Sequence, residues 1–179
     1  MKNILIVTLM LFASIKANTQ NNTCKNLIEA SKQNNVQKVK ALLKKINSNC
    51  VYKYGEPRTA LVAASRKGAF DVVKLLVSKN AKVNFYARGD ESPLMAASAN
   101  GYIDIVRYLI INNADVNLSI KGDGTALISA VKNNNLLIAK ILLEKGANVD
   151  AFVDGDEYPM HHARKNNNKA MISLLKKHQ

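Results

Sequence analysis

Two kinds of apolar run alternate along this chain. One is dense and small, as in LMAASA at 94–99, and the other is spaced, as in YIDIVRYLIIN at 102–112. In the spaced run Ile103, Val106, Leu109 and Ile110 fall at helical intervals, with Asp104 and Arg107 off the stripe, which predicts an amphipathic helix. In the dense run Pro93 suits a first helical turn, and small residues let a neighbouring helix approach. Asn100-Gly101 should stop this helix at a left-handed cap, and Asn112-Asn113 should stop the second. Val116 is expected to plug the following loop into the core. FYARGDE, LSIKGDG and AFVDGDE then each set Gly before an acid, a β-turn signature.

The same sentence is written again and again. Ala64, Ala97, Ala130 and Ala163 are 33 residues apart, and Leu61, Leu94, Leu127 and Met160 keep that step. Leu76, Leu109, Leu142 and Leu175 keep it too, as do Gly68, Gly101, Asn134 and Asn167. Ala30, with Leu27 and Leu42, extends the frame backwards with one extra residue. Five units follow, at about 24–54, 55–87, 88–120, 121–153 and 154–179. One helical pair cannot bury both of its apolar faces, whereas stacked pairs can. The end units read as caps: SKQNNVQKVKALLKK is polar on one side, and Lys165, Lys169, Lys176 and Lys177 are placed to face water.

The period, the SPL and TAL starts, the AAS…G first helix and the AKVN, ADVN and ANVD endings resemble ankyrin repeats over about residues 24–179. The resemblance implies an all-α repeat fold, a solenoid of helix-turn-helix units joined by β-turn or hairpin loops. It also implies binding of a protein partner through loop tips and the exposed side of the first helices. Carried onto this chain, the tips are 52–58, 85–91, 118–124 and 151–157. The candidate contact residues are Tyr52, Tyr54, Arg58, Arg66, Lys67, Phe85, Tyr86, Arg88, Ile120, Lys121, Lys132 and Phe152. Aromatic side chains beside Arg are the usual material of interface hot spots. One departure stands out. The family's His after the first-helix Leu is Val62, Met95 and Ile128 here, and only His161 keeps it, so apolar packing should replace part of the family's polar network.

The N-terminus changes the picture. Met1-Lys2-Asn3 is a basic start, Ile4–Ala13 is nearly unbroken apolar sequence, and a small residue, Ala17, follows. Residues 1–17 therefore read as a secretory signal peptide, with an uncleaved anchor as the alternative, and 18–23 as a polar linker. Together with the GDESPL turns, this resembles exported, signal-peptide-bearing bacterial ankyrin proteins, located in the periplasm or secreted. In that setting Cys24 and Cys50, the only two cysteines, are expected to pair in a disulfide, with two separate thiols as the alternative.

The formal charge is +13, or +11 without residues 1–17. That balance keeps open a second reading, an anion-binding surface for nucleic acid or an anionic envelope polymer. Acids at the tips (Glu56, Asp90, Glu91, Asp123, Asp154, Asp156, Glu157) and export both count against nucleic acid. Neither cofactor nor metal is expected, since His161-His162 point apart on a helix and DAFVDGDE lacks a calcium loop's Gly and final Glu. No Ser/His/Asp or Cys/His grouping supports catalysis. Asn21 and Asn117 match a glycosylation pattern that matters only in a glycosylating host. The expectation is a monomeric, non-enzymatic interaction module with no membrane span in the mature chain.

Overall fold

In the computed structural model all residues except 1, 56 and 155–157 are described, with the backbone alone for 2–16. Among the described residues ten helices follow in pairs: α1 (Lys2–Lys32) and α2 (Val36–Leu43), α3 (Ala60–Lys67) and α4 (Phe70–Ser78), α5 (Pro93–Ala99) and α6 (Ile103–Ile111), α7 (Ala126–Lys132) and α8 (Leu136–Glu144), and α9 (Pro159–Lys165) and α10 (Lys169–Lys176). The first helices α1, α3, α5, α7 and α9 pack in sequence as one layer, and the second helices form the other. The expected all-α solenoid is the fold found.

Local chemistry sets the helix ends. Thr59, Ser92 and Thr125 accept the N–H of Val62, Met95 and Ile128, capping α3, α5 and α7. Pro93 sits at the start of α5 as expected. The turn inside each pair needs a left-handed residue, met by Asn34, Gly68, Gly101, Asn134 and Asn167. Gly68 answers a second demand as well, because a Cβ there would lie 2.5 Å from the Tyr102 ring of the next repeat.

Packing follows the two kinds of run. Ala60–Ser65, Pro93–Ser98 and Ala126–Val131 are buried throughout, so these first helices are sandwiched on both sides. The second helices bury one stripe, in which Leu76, Leu109, Leu142 and Leu175 are each 0% exposed. In α6 that stripe is Ile105, Val106 and Leu109, with Ile103 and Ile110 only partly covered. Val116 is likewise partly buried against the core.

Polar staples join the loops. Asn49, Asn84 and Asn117 each accept a 2.8 Å hydrogen bond from the next repeat, from the N–H of Lys82, Asp115 and Asn148. Their side-chain amides donate to the carbonyls of Asn80, Asn113 and Gly146. Val62, Met95 and Ile128 are buried where the family carries His. In the last repeat His161 is exposed and its neighbour His162 is the buried one.

At the N-terminus, residues 18–23 are helical and continue α1 into the first repeat, so the expected linker is not an irregular segment. Thr23 back-bonds to the Thr19 carbonyl along that helix. Cys24 and Cys50 form a disulfide with Cα atoms 6.0 Å apart, tying α1 to the loop after α2. Among the described residues no helix is long and apolar enough to cross a membrane.

Candidate functional site

The loops between repeats place the predicted contact residues, and the structure divides them into three groups. The first is exposed. Tyr54 and Phe152 are each 58% exposed, and Lys67, Arg88, Lys121 and Lys132 also reach solvent. The Lys121 ammonium lies 3.5 Å from the Asp154 carboxylate of the next tip, a loose and solvated pair.

The second group is half-buried. Tyr52 packs against the core and meets Tyr54 edge-on at 6.0 Å, while its N–H donates to the Arg58 carbonyl and closes the first tip. Phe85 and Tyr86 are partly covered, and Tyr86 rests on the core. Aromatic rings at these positions therefore serve the loops as well as any partner.

The third group faces inward, and here the expectation is corrected. Ile120 is 7% exposed, because it bridges to Gly124 across a tight turn and its side chain enters the core. Arg66 is occupied within the molecule. Its Nη2 donates to Asp90 Oδ1 at 2.9 Å and its Nε to Glu91 Oε1 at 2.7 Å. Asp90 Oδ2 accepts the Arg58 N–H at 2.9 Å, so one carboxylate joins the second repeat's tip to the third's. The Asp90 side chain is 0% exposed.

The edge is consequently less acidic than the residue order suggests. Asp90 and Glu91 are spent on internal bonds, and Asp123 and Asp154 are the acids that stay exposed among the described tip residues. Glu56, Asp156 and Glu157 lie outside the described residues. Burial pushes the Glu91 carboxyl above the usual carboxylate range, with Asp90 and Asp123 adding repulsion, and the Arg66 guanidinium only partly offsets this.

One contact candidate was missed in the sequence. Tyr158 is 49% exposed, and its ring lies 5.0 Å from that of Phe152. A signal was available: Tyr158 stands at the N-cap position that is Thr59, Ser92 and Thr125 in the other repeats, and its side chain makes no cap bond. A residue that gives up a capping role for an exposed ring is better explained by a contact than by the helix. The exposed rings thus gather at the outer tips, Tyr54 on one and Phe152 with Tyr158 on the other, with Arg88 and Lys121 on the tips between.

No group of three or more His, Cys, Asp or Glu side chains placed to hold a metal occurs among the described residues. A family model described as ankyrin repeats (3 copies) matches residues 2–87, 27–120 and 88–153. None of the curated proteins searched matches this chain.

Proposed function

The chain belongs to the ankyrin-repeat family, whose members generally mediate protein–protein interaction, and from that membership we propose that it binds a protein partner along its loop tips. The observation that carries this reading is the exposed aromatic set Tyr54, Phe152 and Tyr158 flanking the cations Arg88 and Lys121. Large rings at about half exposure have only part of their apolar surface covered by the fold, and a partner that dries them gains that surface. Lys67 and Lys132, at the ends of their first helices, extend the contact as a basic shelf. The partner surface that fits is apolar at two points and acidic between them.

The place of action that fits is an exported one, periplasmic or extracellular. The Cys24–Cys50 bond supports it, since such bridges persist in oxidising compartments, and so does the basic-then-apolar start of the chain. An anion-binding role gains less support, because Asp123 and Asp154 sit beside the cations of the same tips.

Crosslinking in the envelope fraction of the native host followed by pull-down tests the proposal. With a partner in hand, Tyr54→Ala with Phe152→Ala should weaken binding at least tenfold, since dried aromatic anchors typically cost about 2 kcal/mol or more on truncation. Thermal unfolding should barely change. Second-helix charge reversals, Lys38→Glu with Arg107→Glu, should leave affinity within about twofold, because exposed charges are screened. Loss of binding in that second variant alone would place the partner on the wrong face for this reading.

A further inference from the structure

We propose a second docking surface, independent of the tips: the groove between α8 and α10 receives an amphipathic helix whose apolar stripe is flanked by carboxylates. The groove, of about 390 Å³, is floored by Leu136, Leu137, Ala170 and Leu174 and rimmed by Lys140 and Lys177, with Ser173 between them. It lies in the second-helix layer, whereas the tips are in the loops that precede first helices.

The repeats supply an internal control. The position of Leu137 is Asp71 in the second repeat and Asp104 in the third, each an acid in the first turn of its helix. An acid there is favoured by the helix dipole. The first turn of α8 has no acid, and Leu137 is instead 50% exposed, beside Leu136 at 38%. Folding does not ask for this exchange, since two sister repeats fold with the acid at this position. A contiguous exposed apolar floor, set in a recess between two helices, points to something that covers it.

Charge and shape identify the occupant. The lining holds two cations and no acid, and Lys140 Nζ lies 3.9 Å from the exposed carboxylate of Glu144, a loose pair. Lys177 has no ion-pair partner among the described residues. A second copy of this basic chain would bring lysine rims against each other. A membrane surface would need apolar side chains that project outward, and these line a recess between two helices. A helix laid along the recess can seat residues at i and i+3 or i+4 on the leucines and reach Lys140 and Lys177 with flanking carboxylates.

The test is fluorescence anisotropy of the whole protein with a dye-labelled helical peptide of leucine stripe and glutamate flanks. Its twin with lysine flanks is the comparison. The glutamate peptide should bind saturably and at least tenfold more tightly than the twin. Leu137→Asp, which restores the sister residue, should weaken binding at least tenfold with an unchanged melting temperature. Lys140→Glu with Lys177→Glu should weaken it similarly, and the tip variant Tyr54→Ala with Phe152→Ala should bind as well as the parent. Equal binding of the two peptides, or wild-type affinity in Leu137→Asp, overturns the proposal. So does Leu137-dependent attachment to phosphatidylglycerol vesicles without peptide binding, or a dimer that Leu137→Asp dissolves.

Discussion

The two halves of this array are held together by different means. In the N-terminal half a disulfide ties α1 to the loop after α2, and a buried carboxylate ties the second repeat to the third through Arg66 and the Arg58 N–H. In the C-terminal half the position of Arg66 becomes Ala99 and that of Glu91 becomes Gly124, while Asp123, in the place of Asp90, is exposed. The third and fourth repeats are joined by helix packing and by the amide staples of Asn117 and Asn135. Stability in a solenoid is close to a sum over repeats and their interfaces, so such differences are felt where they occur. The lesson concerns placement of function. Phe152 and Tyr158, and the floor of the α8–α10 groove, all lie beyond the disulfide and the Asp90 cluster.

The largest test of that contrast is removal of the bridge. The bond closes a sequence separation of 26, worth about 3.5 kcal/mol in the chain-entropy account. Reduction, or Cys24→Ser with Cys50→Ser, should lower the unfolding free energy by roughly that amount. Hydrogen exchange should show why: in the oxidised protein α9 and α10 open most readily, and after reduction α1 and α2 join them. An unchanged melting temperature under reductant would dissolve the contrast at its strongest point.

Most of this architecture was legible because it is periodic. The 33-residue step gave the helix pairs, the stops at Gly101 and Asn113, and the cap lysines, since each repeat shows which positions packing constrains. What was not legible depends on contacts between units. Ile120 looked like a tip residue because its neighbours are polar, but a bridge to Gly124 turns it inward. Asp90 and Arg66 looked like surface charges because their pairing spans two repeats and 24 residues. Polar residues 18–23 looked like a linker because nothing local says that the helix of the first repeat begins before them. Tyr158 was overlooked for the opposite reason: the mismatch with the Thr and Ser caps was visible, yet its meaning lay in the ring of Phe152.

The buried carboxylate offers the next largest effect and the sharpest pairing. Asp90→Ala removes the acceptor of the Arg58 N–H and one partner of Arg66, leaving two half-buried donors unsatisfied. Breaking such a pair from one side should cost about 2–4 kcal/mol by urea unfolding. Asp123→Ala, one repeat later at the same position, touches an exposed side chain and should stay within about 0.5 kcal/mol. Equal costs at the two sites would mean that the halves are braced alike.

Glu91 should give the smallest effect, and its sign is the informative part. The carboxylate is 2.7 Å from Arg66 Nε, which by itself would favour ionisation. Burial outweighs that attraction and holds its proton affinity above the usual value of 4.5. A folded state that favours the protonated acid gains stability that is fully present below the unfolded pKa and lost as pH rises through the folded one. This is opposite to the behaviour of most paired carboxylates. Glu91→Gln removes the titration while leaving an oxygen that can accept from Arg66. The stability of the parent relative to Glu91→Gln should therefore fall as pH rises from the acid side of 4.5 towards neutrality. Urea titrations of both proteins at matched ionic strength measure that difference directly. A difference that instead grows with pH would show that the Arg66 pair outweighs desolvation, and that the cluster binds the second repeat to the third through both of its carboxylates.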